Sequence, residues 1–295
     1  MAIRKRFRAQ VIGCLSKITP AFIAAMILLS IGDSKPVYAQ AGDLIVAPTR
    51  VVLEGRTRSA ELVLSNTGSA SATYRISLVN MRMTESGSVT QITEPDEGQQ
   101  FADKLLRYSP RQITLAPGST QAVRVLLRKP KDLAEGEYRS HIFFRGVPDE
   151  GGQSVNQVET TNGIQIRLIP VYGITLPIIV RHGNLDYSAS LSDLKVIPAT
   201  AERPSPSFEF LISREGTSSA FGNFTITHTS GSGEKTIIGE IQRLAVYTPN
   251  KSRRVNVTLR VPDGVKLSEG QINLAFRATE GDGGKLIADA EMKLP

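Results

Sequence analysis

The sequence predicts an all-β protein built as two β-sandwiches, and three observations carry that prediction. From residue 42 onward, short runs place apolar residues at every second position, turn-forming residues separate the runs, and no long segment holds a 3.6-residue period. Ala60–Ser65, Thr73–Leu78, Ala122–Leu127, Phe208–Ile212 and Arg254–Val261 are the clearest alternating runs, each rich in Val, Ile, Leu, Thr or Phe. Asn66-Thr67-Gly68, Ala116-Pro117-Gly118, Pro249-Asn250 and Pro262-Asp263-Gly264 are expected turns, because Gly, Asn and Pro supply the dihedrals that turns require. Only Glu97–Leu106 offers room for a helical turn. Many short strands without helices favour sandwiches or barrels.

A domain boundary is expected at Arg181-His182-Gly183-Asn184, which gives sandwiches at 42–181 and 182–295. It follows a long strand-like stretch and precedes a fresh alternating run, Leu185–Val196. A weak internal echo crosses it: Tyr108-Ser109-Pro110 and Tyr247-Thr248-Pro249 each lead through a turn into an alternating run. Gly216–Ser219 and Ser230–Gly233 are expected as hairpin loops within the second sandwich.

Residues 1–41 have the form of a cleaved secretory signal. Arg4, Lys5, Arg6, Arg8 and Lys17 form a basic start, Ala21–Ile31 is an apolar run too short to span a bilayer, and Ala39-Gln40-Ala41 has the small-x-small cleavage pattern. That segment takes six of the 35 basic residues and one of the 28 acidic ones, so the remainder holds 29 and 27, a net +2. The basic character of the whole chain is thus mostly a property of the leader, and nucleic-acid binding, which needs a concentrated basic stripe, loses its support. The sole cysteine, Cys14, also lies in the leader. No disulfide, lipid anchor or stable membrane anchor is expected afterwards, and each domain must rely on its apolar core.

Enzyme chemistry is not expected. His141, His182 and His228 are far apart in sequence, and none sits in a metal-ligand motif. The chain has no nucleophile elbow, phosphate-cradling loop or retained cysteine, so no catalytic residue, metal site or cofactor is assigned.

Three stretches resemble the periplasmic chaperones of the chaperone–usher pilus pathway. They are Thr49–Gly55 (TRVVLEG) followed by Ala60–Asn66, then Tyr108–Pro110 through Leu115–Gly118 to Val123–Val125, and then Glu137–Pro148 (EYRSHIFFRGVP). Their order and spacing match that family from Thr49 through Pro148, while the second domain matches only in length and strand content. The resemblance implies two immunoglobulin-like sandwiches in an L-shaped arrangement, periplasmic localisation, and pilin-type subunits as partners, with an outer-membrane usher as a further one.

The resemblance also implies a mechanism. Ile164, Ile166 and Leu168 alternate strictly, as in the strand that such chaperones lend to an incomplete subunit. This is strand addition, in which backbone hydrogen bonds give affinity and alternate side chains give fit. Arg50, within TRVVLEG, stands where the family grips a subunit's C-terminal carboxylate, and a guanidinium suits that task through paired charge-assisted hydrogen bonds. The family places a lysine five residues after the third aliphatic, which here is Gly173; Arg167 and Arg181 are nearby replacements. Two other readings stay open: an extracellular structural or adhesive protein of two immunoglobulin-like modules, and a chaperone-like protein serving another secretion task.

Overall fold

The computed structural model describes residues 39–41, 43–148, 157–159, 165–167 and 171–295. The expected leader lies almost wholly outside the described residues.

The described residues are all-β and form two β-sandwiches. In the first, one sheet has the order β1 (Ala39–Ala41), β2 (Leu44–Ala47), β4 (Ser59–Asn66), β9 (Thr120–Leu127), β7 (Leu106–Ser109). The facing sheet has the order β3 (Val51–Leu53), β13 (Gly173–His182), β10 (Gly136–Val147), β5 (Ala72–Met83), β6 (Val89–Ile92), with β8 (Gln112–Leu115) also paired to β5. The alternation read from the sequence is the burial pattern. In β9, Val123, Val125 and Leu127 are buried and the residues between them are exposed. They meet Leu62, Leu64, Ile76, Ile142, Phe144 and Ile178 in one core, where each fully buried aliphatic contributes about 1.5–3 kcal/mol.

In the second sandwich, β14 (Tyr187–Ile197), β15 (Ser207–Gly216) and β18 (Ser252–Thr258) form one sheet. The other is β17 (Lys235–Val246), β16 (Ala220–Thr229), β19 (Gln271–Arg277) and β20 (Leu286–Lys293). Its core is more aromatic: Phe224 and Phe276 stack with centroids 4.2 Å apart, and Phe210 leans on Phe224 at 5.3 Å.

The four expected turns close where they were expected. Asn66 closes the first with its side chain: Oδ1 accepts the Gly68 N–H at 2.9 Å while Nδ2 donates to the carbonyls of Ala70 and Leu115. Gly118 and Gly264 have φ of +68° and +89°, which favours glycine. Within Glu97–Leu106, only Asp103–Leu105 forms a 3₁₀ turn. One expectation is corrected. Ser230–Gly233 joins the paired strands β16 and β17 and is a hairpin, but Gly216–Ser219 joins β15 in one sheet to β16 in the other. It is a crossover, which alternation within single strands does not reveal.

β11 (Gln157–Glu159) and β12 (Gln165–Arg167) pair antiparallel, with Ile166 opposite Val158. Among the described residues they pair only with each other and join neither sandwich sheet. Ile164 and Leu168 lie outside the described residues.

His141 lies on β10 at 5 % exposure, and its Nδ1 has no partner. Burial, helped by the charge of Arg139, pushes its pKa down to about 3. The unfolded chain takes up this proton near its ordinary value of about 6.5. The group therefore costs nothing above that pH and draws stability down as pH falls towards 3, by about 1.4 kcal/mol per pH unit. His141→Leu is expected to make the acid side of a melting-temperature profile shallower between pH 6 and 4, and an unchanged slope would show that another group controls it.

Candidate functional site

The chain from Leu44 to Leu53 belongs to both sheets of the first sandwich, β2 in one and β3 in the other. Arg50 sits at the end of that crossing, immediately before β3. Its guanidinium carbon lies 4.1 Å from the ring centroid of Phe221, at the start of β16 in the second sandwich. Arg243 stands over the same ring at 5.8 Å. The register of β16 against β17 shifts near Gly222 and Phe224, and Arg243 takes a φ of +59° with its N–H on Asn223 Oδ1. Such a bulge turns a side chain out of the regular alternation.

Arg50 is poorly solvated and has no carboxylate partner among the described residues. Its Nε and Nη2 are buried without hydrogen-bond partners. Burial lowers its pKa; Tyr247 offsets part of that, Arg181 adds to it, and Glu137 and Asp282 oppose it. An arginine stays charged even so. Each buried N–H left unpaired costs about 1–3 kcal/mol, so an arriving carboxylate would recover free energy at this point.

Glu137 of β10 joins the sandwiches. Its side chain is fully buried, and Arg181 Nε donates to it at 3.0 Å from within the same sandwich. From the second sandwich it accepts the Ser219 N–H at 3.1 Å, the Ser219 hydroxyl and the Thr248 hydroxyl at 3.3 Å. Apolar contacts surround this centre: Met83, Ile179 and Val52 pack against Phe221, Ala245 and Tyr247. Arg139 lies 4.4 Å from the Tyr247 centroid. Asn250 Nδ2 donates to the Met83 carbonyl at 2.9 Å, and the Arg254 N–H donates to the Glu85 carbonyl at 2.9 Å.

Between the sandwiches is a cleft of about 250 Å³, lined by Arg50, Glu54 and Arg181 on one wall and Phe221, Asp282 and Lys285 on the other. Arg181 is already committed, since its Nη1 reaches Glu54 at 3.2 Å in addition to the Glu137 contact. Withdrawing it from a buried partner costs about 3–5 kcal/mol.

Gly173, onto which the family's lysine was counted, does not lie beside Arg50. Gly173 starts β13 opposite Arg145, whereas Val51 is paired with Ile178, five residues further along. At about 3.3 Å per residue the two positions are separated by about 16 Å along the strand. A side chain at Gly173 would instead meet the ring of Phe143, which occupies that space. Glu137, Phe221, Tyr247 and Lys285 carried no sequence signal of their own, because they meet only once the two sandwiches are packed.

Residues 43–171 match the family described as pili and flagellar-assembly chaperone, PapD N-terminal domain. The matched stretch covers most of the first sandwich, which is thus similar to that family's N-terminal domain. The second sandwich lies outside the matched stretch. The crystal structure of the class 5 fimbriae chaperone CfaA is similar at 12% identity, over 85% of this chain and 99% of that one, with a TM-score of 0.41. The Pseudomonas aeruginosa CupB2 chaperone is similar at 12% identity, over 85% and 100%, with a TM-score of 0.39. The Salmonella enterica SafB chaperone, solved with the SafA pilin, is similar at 14% identity, over 87% and 98%, with a TM-score of 0.40. No curated protein sequence matches the chain.

Removing the Glu137 carboxylate would take the acceptor from Arg181 Nε and from three donors of the second sandwich at once. Glu137→Ala is expected to cost about 3–5 kcal/mol in urea unfolding and to open the connection near Gly183 to limited proteolysis. Glu61→Ala, which breaks the exposed pair with Arg124, should cost no more than about 1 kcal/mol. Equal losses for the two variants would remove Glu137 from its proposed central position.

Proposed function

We propose that the protein is a periplasmic chaperone that captures pilin-type subunits by strand addition and holds their C-terminal carboxylate at Arg50. In this reading the leader ends at residue 41, the chaperone domain spans 42–181, and the second sandwich spans 182–295. An outer-membrane usher receives the loaded complex. Cleavage after Ala41 would take β1 away with the leader.

The observation that carries the reading is the direction of an open strand edge. β3 runs parallel to β13 and pairs only with Ile178–Val180. Among the described residues, no strand is hydrogen-bonded to that same side of Gly173–Pro177. A guest strand entering this edge in the orientation of β3 would run towards Ile178 and stop where β3 begins. Its last residue would then arrive beside Arg50, whose buried N–H groups lack acceptors. An incoming strand gains backbone hydrogen bonds along the open edge, and its carboxylate gains a charge-assisted pair at the end. The segment Ile164, Ile166 and Leu168, on the N-terminal side of this edge, would extend the contact with alternating aliphatic side chains.

Co-expression with pilin-type subunits in a bacterial periplasm, followed by co-purification, tests the capture. Arg50→Ala should weaken it by roughly 10- to 100-fold, the loss of one charge-assisted pair, without lowering the melting temperature. The Ile166→Asp/Leu168→Asp double variant should stay folded and lose capture altogether. A double variant that unfolds, or one that still captures subunits, would overturn the strand-addition reading.

A further inference from the structure

A carboxylate held by one arginine leaves half of its acceptor capacity for a second donor, and among the described residues the first sandwich has none to spare in this cleft. Position 173 is remote from Arg50, and Arg181 is engaged by Glu54 and Glu137. The opposite wall of the cleft supplies a candidate. Lys285 follows β19 on the turn that leads into β20, and this turn is tied by Gly284 N–H to Thr279 carbonyl and by Ala278 N–H to the Lys285 carbonyl. Among the described residues, the Lys285 ammonium has neither an ion pair nor a hydrogen bond. The acid on the same turn, Asp282, is held locally, accepting from Thr279 Oγ1 at 2.7 Å.

We infer that Lys285 is the second cation of the cleft, so that a bound chain terminus is held between Arg50 of one sandwich and Lys285 of the other. This rests on the proposed carboxylate reading and sharpens it. The anchor spans two domains, and the ligand is a free α-carboxylate. Arg50 offers a planar fork stacked on Phe221 and has little freedom to move, whereas the lysine ammonium is a mobile point charge on a flexible stem. The pair therefore combines a fixed donor with one that adjusts to the terminus. Because the two cations belong to different sandwiches, a ligand joining them would also resist their separation and raise the melting temperature of the protein.

The test uses the mature two-domain protein and a synthetic peptide of alternating valine and threonine, prepared with a free C-terminal carboxylate and as the C-terminal amide. Affinities are measured by calorimetry. Wild type should prefer the carboxylate form. Lys285→Ala should reduce that preference about tenfold, as expected for one lost charge-assisted contact, and Lys285→Arg should restore most of it. Affinity for the amide should not change in either variant. A Lys285→Ala protein that keeps the full preference while Arg50→Ala loses it would overturn the role of Lys285 and leave the carboxylate reading standing. A wild type that binds neither form, or binds both equally, would overturn the carboxylate reading and this inference with it.

Discussion

The buried carboxylate of Glu137 is the contact on which the relation between the two sandwiches depends. A carboxylate removed from water is tolerated only when its lone pairs are occupied, and here the occupants come from both sides: Arg181 from its own sandwich, and Ser219 and Thr248 from the other. The apolar cluster around Met83, Ile179, Phe221 and Tyr247 excludes water but has no directional preference. Direction comes from the carboxylate. Its donors are two loops of the second sandwich, the crossover at Ser219 and the turn at Thr248, so a rotation of that sandwich would break several hydrogen bonds together.

This arrangement explains how the interface tolerates so many guanidinium groups. Arg50, Arg139 and Arg243 lie over aromatic rings, where the ring faces partly replace the lost hydration. Arg181 takes the carboxylate. Arg139 still has Nε and Nη1 unpaired, yet it is 2 % exposed and closed in by packing. Arg50 is different in being unpaired and bordering an open cleft. Among the described residues, Arg50 thus combines unpaired buried N–H groups with a place on the cleft wall.

The strands and the sheet cores were legible in the sequence because burial in a sandwich follows a period of two, and runs such as Ala122–Leu127 and Leu185–Val196 show it directly. Turns were legible through Asn66, Gly118 and Gly264, whose chemistry is local. The crossover at Gly216–Ser219 was not, since a loop between sheets and a hairpin loop draw on the same residues. Arg50 stood out through its surrounding motif, whereas Phe221 and Lys285, which line the same cleft, did not, because they come from positions 171 and 235 residues later in the chain. Counting along the chain failed at Gly173 for a related reason. It took the family's spacing of five residues after Leu168, whereas β3 is paired with β13 at Ile178–Val180.

The chain crossing between β2 and β3 has a consequence beyond placing one side chain. Both strands are stitched into the core, β2 through Leu44 and Val46 and β3 through Val51 and Leu53, so the point where the open edge of β13 ends cannot slide. Under the proposed reading that edge behaves as a ruler with a stop at one end. A guest strand would be aligned by its final residue and counted backwards from there, whatever its composition. Such a device selects for the distance between a partner's terminus and its apolar side chains, and it lets partners of dissimilar sequence share one register.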